Sequence, residues 1–142
     1  MKVFISADHG GFELKGKLCK KYPAFVDCGA HDYDELDNFT EFVPAVVKKV
    51  LAEKGNFGIL VCGTGIGVSI AANHNRGIRA ALCHSVDYAK MARAHNDANI
   101  LCLGGRFIDD ATAFAVVDAF LSTPMDKNPK YKKRMDIADG TV

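Results

Sequence analysis

The sequence lacks both an excess of charge of one sign and a long apolar run. Its 18 Lys and Arg residues nearly balance its 17 Asp and Glu residues, and the formal net charge is +1. This balance argues against a general binder of nucleic acids or of anionic membranes. No apolar segment approaches the roughly 20 residues that a membrane-spanning helix needs. Residues 1–8, MKVFISAD, predict a strand rather than a signal peptide.

The five cysteines lack the paired spacing of a disulfide framework or of a CxxC metal site, and their number is odd. A reducing compartment is the simplest setting for them, so we expect a cytoplasmic protein. The sequence contains no internal repeat and no low-complexity stretch. With 49% hydrophobic residues it can form one core, so we expect a single domain over residues 1–142 that ends in a basic tail at about residues 123–142.

Strand-like and helix-like segments alternate along the chain. Strands are predicted at residues 2–7, 25–28, 57–61, 80–83 and 100–103. Helices are predicted at residues 12–22, 40–53, 68–73, 87–94 and 111–121. Thr40 is expected to cap the second helix, whose first turn would contain Pro44. Continuous apolar strands that alternate with helices indicate an α/β fold, a doubly wound sandwich whose five-stranded parallel sheet carries helices on both faces.

Residues 57–67, FGILVCGTGIG, join a strand, a cysteine and a glycine-rich turn. The turn consists of Gly63, Thr64, Gly65, Ile66 and Gly67. Glycine allows backbone conformations that are closed to other residues, so several N–H groups can converge on one anion, and the helix that follows adds the positive end of its dipole. A thiol beside such a turn is well placed to act as a thiolate, which makes Cys62 a candidate reactive group.

Polar residues also follow other predicted strands. These are Asp8 and His9 after the first strand, His84 after the fourth, and Arg106 after the two glycines that end the fifth. Ligands of parallel α/β sheets bind outside the carboxyl ends of the strands. The sequence therefore predicts a site for a small anion at that edge of the sheet.

Several separate blocks of the chain resemble, in order, the ribose-5-phosphate isomerase B family, which belongs with the galactose-6-phosphate isomerase subunits. The blocks are SADHGGFELK, LVCGTGIGVSIAAN, GIRAALCH and MARAHNDANILCLGGR. The resemblance runs from residue 2 to about residue 134. It implies a Rossmann-like sandwich, no metal, no cofactor, and a homodimer or dimer of dimers with active sites at the subunit interface.

The resemblance also implies a reaction, the interconversion of ribose 5-phosphate and ribulose 5-phosphate. After the sugar ring opens, a proton moves between C2 and C1 through an enediolate. By this resemblance Cys62 is the base, His95 is the acid that opens the ring, and the Thr64 hydroxyl relays a proton between O1 and O2. One branch of the family has a glutamate where this chain has Val68, so the sequence supports the cysteine branch.

Substrate-binding residues follow from the same resemblance. They are Asp8, His9, Gly63, Thr64, Gly65, Ile66, Gly67, Asn96, Arg106, Lys130 and Arg134. In the family the last two positions are arginines. Their spacing of four residues places both on one helix face, where they could hold one phosphate. Lysine lacks the bidentate fork of arginine, so phosphate binding at Lys130 is expected to be weaker.

Two other functions are compatible with these motifs. The first is an allose- or galactose-6-phosphate isomerase, although the galactose enzymes need two different subunits and this chain carries both Cys62 and His95. The second is a non-catalytic module that binds a nucleotide with the glycine turn. Against it, the motif is GxGxG rather than GxGxxG and follows the third strand, and no acidic residue stands at a matching ribose position.

The last predicted helix bears on assembly. It carries Val116, Val117 and Phe120, and the basic tail beyond it has little core of its own to join. We therefore expect this apolar helix and the tail to favour a dimer whose active sites each use residues from both chains.

Overall fold

A computed structural model of the chain describes residues 1–140, so the last two residues of the predicted tail lie outside the described part. The strands are β1 (Val3–Ala7), β2 (Val26–Asp27), β3 (Phe57–Cys62), β4 (Ala80–Leu82) and β5 (Ile100–Gly104). The α-helices are α1 (Phe12–Lys21), α2 (Val43–Ala52), α3 (Ile66–Asn73), α4 (Val86–Asn96), α5 (Asp110–Ser122) and α6 (Pro129–Ala138). Within residues 1–140, no helix has the length and apolar character that crossing a membrane requires.

The strands form one parallel sheet in the order β2-β1-β3-β5-β4. Strand β3 is central, and its last residue, Cys62, lies beside Gly104 at the end of β5. Because all strands run the same way, their last residues share one edge of the sheet, which we call the carboxyl edge; the opposite edge is the amino edge. The predicted α/β class and five-stranded parallel sheet are confirmed.

Two apolar cores cover the two faces of the sheet, as the doubly wound prediction requires. One core joins the sheet to α1, α4 and α5, and the other joins it to α2 and α3. Along β3, Ile59 and Val61 belong to the first core, whereas Leu60 and Cys62 belong to the second. This alternation follows from the two-residue period of a strand. It directs the Cys62 side chain towards the face covered by α2 and α3.

The apolar residues of α5 do not serve assembly as predicted. Val116, Val117 and Phe120 are each 0% exposed and pack in the first core of the same chain. The period of the helix turns all three towards the sheet, which leaves none of them for a second chain. Their apolar character therefore reflects the fold and carries no argument for a dimer.

The cap of α2 also differs from the prediction. Thr40 lies inside a short 3₁₀ helix, Phe39–Glu41, and Phe42 is the residue that precedes α2, without a side-chain cap. Because the chain turns tightly in the 3₁₀ helix first, the threonine is too early to cap α2. Pro44 does lie in the first turn, as predicted, where its missing N–H costs little.

Candidate active site

The Cys62 thiol is buried at the carboxyl edge and receives a hydrogen bond from the turn that follows it. Cys62 is 5% exposed, and the backbone N–H of Gly65 donates to its Sγ at 3.1 Å. Gly65 has a φ of 77°, a left-handed conformation that favours glycine, and this conformation folds the turn back over the sulfur. An N–H directed at the sulfur stabilises negative charge there.

Helix α3 begins earlier than the sequence predicted, because the left-handed Gly65 directly precedes it. Ile66 and Gly67 therefore belong to its first turn rather than to a separate loop. The Thr64 Oγ1 accepts the N–H of Ile66 at 3.1 Å. The Thr64 side chain is exposed, and its hydroxyl hydrogen remains available to donate.

The loops after β1 and β5 meet this turn at close range. A Cβ placed on Gly10 would lie 2.7 Å from the nitrogen of Gly63, and one placed on Gly63 would lie 2.9 Å from Nη1 of Arg106. The N–H of Gly105 donates to the carbonyl of Cys62 at 2.8 Å, and the N–H of Arg106 donates to the carbonyl of Gly63 at 3.1 Å. The structure thus brings Arg106 onto the glycine turn, as the sequence predicted.

Asp8 and His9 follow β1 at the same edge. Asp8 is buried, and its Oδ1 accepts the N–H of Gly11 at 3.2 Å. Asp37, from the loop before α2, accepts a hydrogen bond from Nδ1 of His9 at 2.8 Å. This bond raises the pKa of His9 above its ordinary value of 6.5. His9 and Arg106 line a common cavity of about 520 Å³.

We call residues 8–9, 62–67 and 106 the carboxyl-edge site. It contains a thiol, a hydroxyl, the N–H groups of a glycine turn, a buried carboxylate and two cationic or potentially cationic side chains. Such a set can bind an anion and move a proton beside a developing negative charge.

His95 and Asn96 lie at the other end of the sheet. They are the last two residues of α4, which leaves the carboxyl edge after β4 and returns to the amino edge before β5 begins. At that end, the N–H of Asn99 donates to the carbonyl of Arg79 at 3.0 Å, beside the start of β4. Within one chain the structure therefore separates His95 and Asn96 from Cys62, a separation that the sequence did not reveal.

Lys130 and Arg134 join His95 rather than Cys62, because α6 packs against the end of α4. The rings of His95 and Tyr131 stack with centroids 4.1 Å apart and planes 7° apart. The Lys130 Nζ lies 4.9 Å from the centre of the Tyr131 ring, and the Arg134 Cζ lies 5.7 Å from it. The Asn96 Nδ2 donates to Sδ of Met135 at 3.6 Å.

We call His95, Asn96, Lys130, Tyr131 and Arg134 the amino-edge cluster. An ion pair between Arg79, which precedes β4, and Asp139, which follows α6, fixes the helix at this edge. The predicted helical spacing of Lys130 and Arg134 is confirmed. Tyr131 was not predicted as a site residue, although an aromatic ring between two predicted phosphate ligands is a visible signal.

The model of the ribose/galactose isomerase family matches residues 3–137. The chain belongs to this family. It is 40% identical over 141 residues to ribose-5-phosphate isomerase B of Mycolicibacterium paratuberculosis, a match that covers 96% of this chain and 89% of that protein.

Solved structures resemble this isomerase over nearly their whole length. Ribose-5-phosphate isomerase B of Mycoplasma genitalium, crystallised with bound ribulose-5-phosphate, has a TM-score of 0.91 and 36% identity and covers 99% of this chain and 95% of that chain. The Thermotoga maritima ribose 5-phosphate isomerase has a TM-score of 0.90 and 44% identity and covers 98% and 97%. The resemblance found in the sequence is confirmed, and the chain is an enzyme of the isomerase class.

One group of side chains in residues 1–140 of this isomerase has a composition that could hold a metal ion. Ligand atoms of Asp8, His9 and Asp37 lie within 4.8 Å of one another. The His9 Nδ1 and the Asp37 Oδ1 are already engaged with each other, so the group is a hydrogen-bonded unit as it stands. The expectation of a metal-free site remains a prediction.

Proposed function

We propose that this enzyme interconverts ribose 5-phosphate and ribulose 5-phosphate. The observation that carries the proposal is the buried Cys62 thiol, which accepts an N–H bond inside a glycine turn that also meets Arg106. The relatives named ribose-5-phosphate isomerase B and the Mycoplasma genitalium structure with bound ribulose-5-phosphate supply the substrate.

In the proposed reaction Cys62 acts as the base. Its thiolate removes the proton from C2 of the open-chain aldose, and the resulting thiol returns a proton to C1. The negative charge that develops on the enediolate oxygen lies beside the turn of residues 63–67. The N–H of Gly65 already bonds to Cys62 and that of Ile66 to Thr64, so the remaining N–H groups of the turn stabilise the charge. The Thr64 hydroxyl carries the proton from O2 to O1, so the ketose forms with no net gain or loss of protons.

We further propose that two chains build each active site, in a homodimer or a dimer of dimers. His95 and Asn96 would reach the Cys62 thiol from the partner subunit, because the fold sends the end of α4 to the opposite edge. In this arrangement His95 protonates the ring oxygen and opens the sugar, and Asn96 contacts it. Lys130 and Arg134 hold the phosphate together with Arg106.

Exposed apolar residues around the carboxyl-edge site support a second chain there. Ile66 is 52% exposed and Ile70, one turn later on the same face of α3, is 57% exposed. Phe107, directly after Arg106, is 75% exposed. Large apolar side chains grouped beside a polar site are typical of surfaces that another protein covers.

Turnover of ribose 5-phosphate, measured beside allose 6-phosphate and galactose 6-phosphate, tests the proposed substrate. We expect the pentose phosphate to be converted with the highest kcat/KM. Cys62→Ala should abolish this turnover while ribose 5-phosphate still raises the melting temperature of the protein. Preference for a hexose phosphate, or normal turnover by Cys62→Ala, would contradict the proposal.

A further inference from the structure

We propose that Asp37 is a positioning residue that holds the imidazole of His9 in one orientation and one tautomer, with Nδ1–H bound and Nε2 left for the cavity that His9 shares with Arg106. This inference deepens the proposed function and rests on it for the identity of the substrate. It assigns a role to a loop residue that contributes no group to the reaction itself.

The hydrogen bonds between the two residues carry the inference. Asp37 Oδ1 accepts both the backbone N–H of His9, at 2.9 Å, and the ring Nδ1 of His9, at 2.8 Å. Two bonds to one oxygen fix the ring relative to its own backbone. Since a carboxylate only accepts hydrogen bonds, the ring nitrogen that faces it must carry the hydrogen. Nε2 is therefore the nitrogen that can contact a ligand.

The burial of Asp37 makes this contact more than a surface ion pair. Its side chain is 4% exposed, whereas that of His9 is 27% exposed. Its second oxygen, Oδ2, is buried without a hydrogen-bond partner among residues 1–140. A buried carboxylate with an unbonded oxygen is costly, so the interaction with His9 has to offset that cost.

The chain holds Asp37 from its own side as well. The N–H of Asp37 donates to the carbonyl of Asp34 at 3.1 Å, and this turn lies in the exposed acidic loop before α2. Asp37 is the buried residue of that loop segment, while Asp32, Tyr33 and Asp34 are exposed. The loop thus delivers one carboxylate to the site and leaves the others in solvent.

Charged groups from several elements surround His9. Its cavity is also lined by Glu13 and Lys17 of α1 and Asp110 of α5, and the Lys17 ammonium is paired with both of these carboxylates. The hydrogen bond to Asp37 is the largest cause of the raised pKa of His9, and the charges of Asp8 and Asp37 act in the same direction. Partial desolvation and the charge of Arg106 lower it. The raised pKa extends the protonated form of His9, with Nε2 as a donor, to higher pH. Beside Arg106 in the shared cavity, this donor suits an anionic or hydroxylated ligand.

The test begins with Asp37→Asn, which keeps the shape of the side chain and removes its charge. We expect the pKa of His9, followed by NMR of its ring protons and assigned by their absence in His9→Asn, to fall. We expect kcat/KM for ribose 5-phosphate to fall about 10-fold, the loss typical of one charge-assisted hydrogen bond. The high-pH limb of its pH profile should move to lower pH. Asp32→Asn, in the exposed part of the same loop, should leave the pKa of His9, kcat/KM and the pH profile unchanged.

A double variant separates positioning from a merely structural role. If Asp37 acts through His9, the variant His9→Asn/Asp37→Asn should have the same kcat/KM as His9→Asn alone. A further 10-fold loss in the double variant, or an unchanged pKa of His9 in Asp37→Asn, would overturn the proposal.

The tautomer of His9 can also be measured in the unmodified protein, so this test does not depend on whether a variant of Asp37 folds. Nitrogen-15 NMR above the pKa of His9 should show the neutral ring with its hydrogen on Nδ1, and the Nε2–H tautomer would overturn the proposal. This readout requires no turnover. If ribose 5-phosphate proves not to be the substrate, the proposed role of Asp37 is therefore unaffected. If the tautomer proves to be the other one, the substrate assignment is unaffected.

Discussion

The backbone holds Cys62 and the glycine turn of the carboxyl-edge site, whereas contacts between side chains hold the residues of the amino-edge cluster. Cys62 is fixed by its strand, by the N–H of Gly65 and by the bond from Gly105 to its carbonyl. His95 is fixed by the ring of Tyr131, and Lys130 and Arg134 are exposed on the surface of α6. The difference matches the proposed tasks, because proton transfer at carbon needs closely set geometry and phosphate can be held by long, adjustable cations.

Removing the Cys62 thiol should cause the largest loss of activity of any change at the carboxyl-edge site. For Cys62→Ala we expect kcat to fall by about 1,000-fold or more, within the range that a positioned base contributes. Binding of ribose 5-phosphate should change little, because the thiol does not anchor the phosphate. Steady-state kinetics and calorimetry measure the two effects. Equal losses in kcat and in affinity would show that Cys62 is a packing residue.

His95→Asn should impair the ring-opening step that we propose for the amino-edge cluster. We expect about a 100-fold loss on the cyclic substrate, since the ring oxygen would no longer be protonated. An open-chain analogue should lose far less. Parallel kinetics on both compounds make the comparison, and equal losses would indicate a structural histidine.

Arg134→Ala sharpens the comparison because it should affect binding more than chemistry. We expect KM to rise by about 10- to 100-fold, as a charge-assisted contact to phosphate predicts. Lys130→Arg should preserve or lower KM by restoring the bidentate fork. Lys133→Ala, an exposed residue of the same helix, and Lys132→Ala, whose Nζ already bonds to Asp136, are the matched controls. Small and equal changes in KM from all four variants would show that these basic residues are only a solvated surface and do not bind phosphate.

Tyr131 should show the smallest effect. Tyr131→Ala removes the stacking partner of His95, and aromatic contacts of this kind predict about a 3- to 10-fold loss of kcat/KM. Tyr131→Phe keeps the ring and should stay near the activity of the unmodified enzyme. If Tyr131→Phe loses as much kcat/KM as Tyr131→Ala, the hydroxyl of Tyr131 contributes to activity and the stacking on His95 does not.

The sequence allowed the carboxyl-edge turn to be predicted because its parts are contiguous. Strand, cysteine and glycines follow one another within residues 57–67, so local chemistry sufficed. The position of His95 depends instead on how α4 connects two strands of the sheet. That helix connects the parallel strands β4 and β5, so its last residues lie at the amino edge. It was predicted to end at residue 94 and runs to Asn96, so the helix itself includes His95.

Contacts between distant residues could not be predicted in the same way. Asp37 and His9 are 28 positions apart and joined through an irregular loop. Tyr131 looked like one member of a basic run until α6 was seen to pack against α4. In both cases tertiary packing, rather than local propensity, decides which groups meet.

Mixing two inactive variants tests most directly whether the two edges form one site in two chains. Cys62→Ala and His95→Asn, refolded together in equal amounts, should recover about a quarter of normal activity, because half of the dimers would be mixed and each would hold one intact site. Cys62→Ala refolded with Asp8→Ala, both at the carboxyl edge, should recover none. No recovery with His95→Asn, or a fully active monomer in sedimentation, would contradict the shared site.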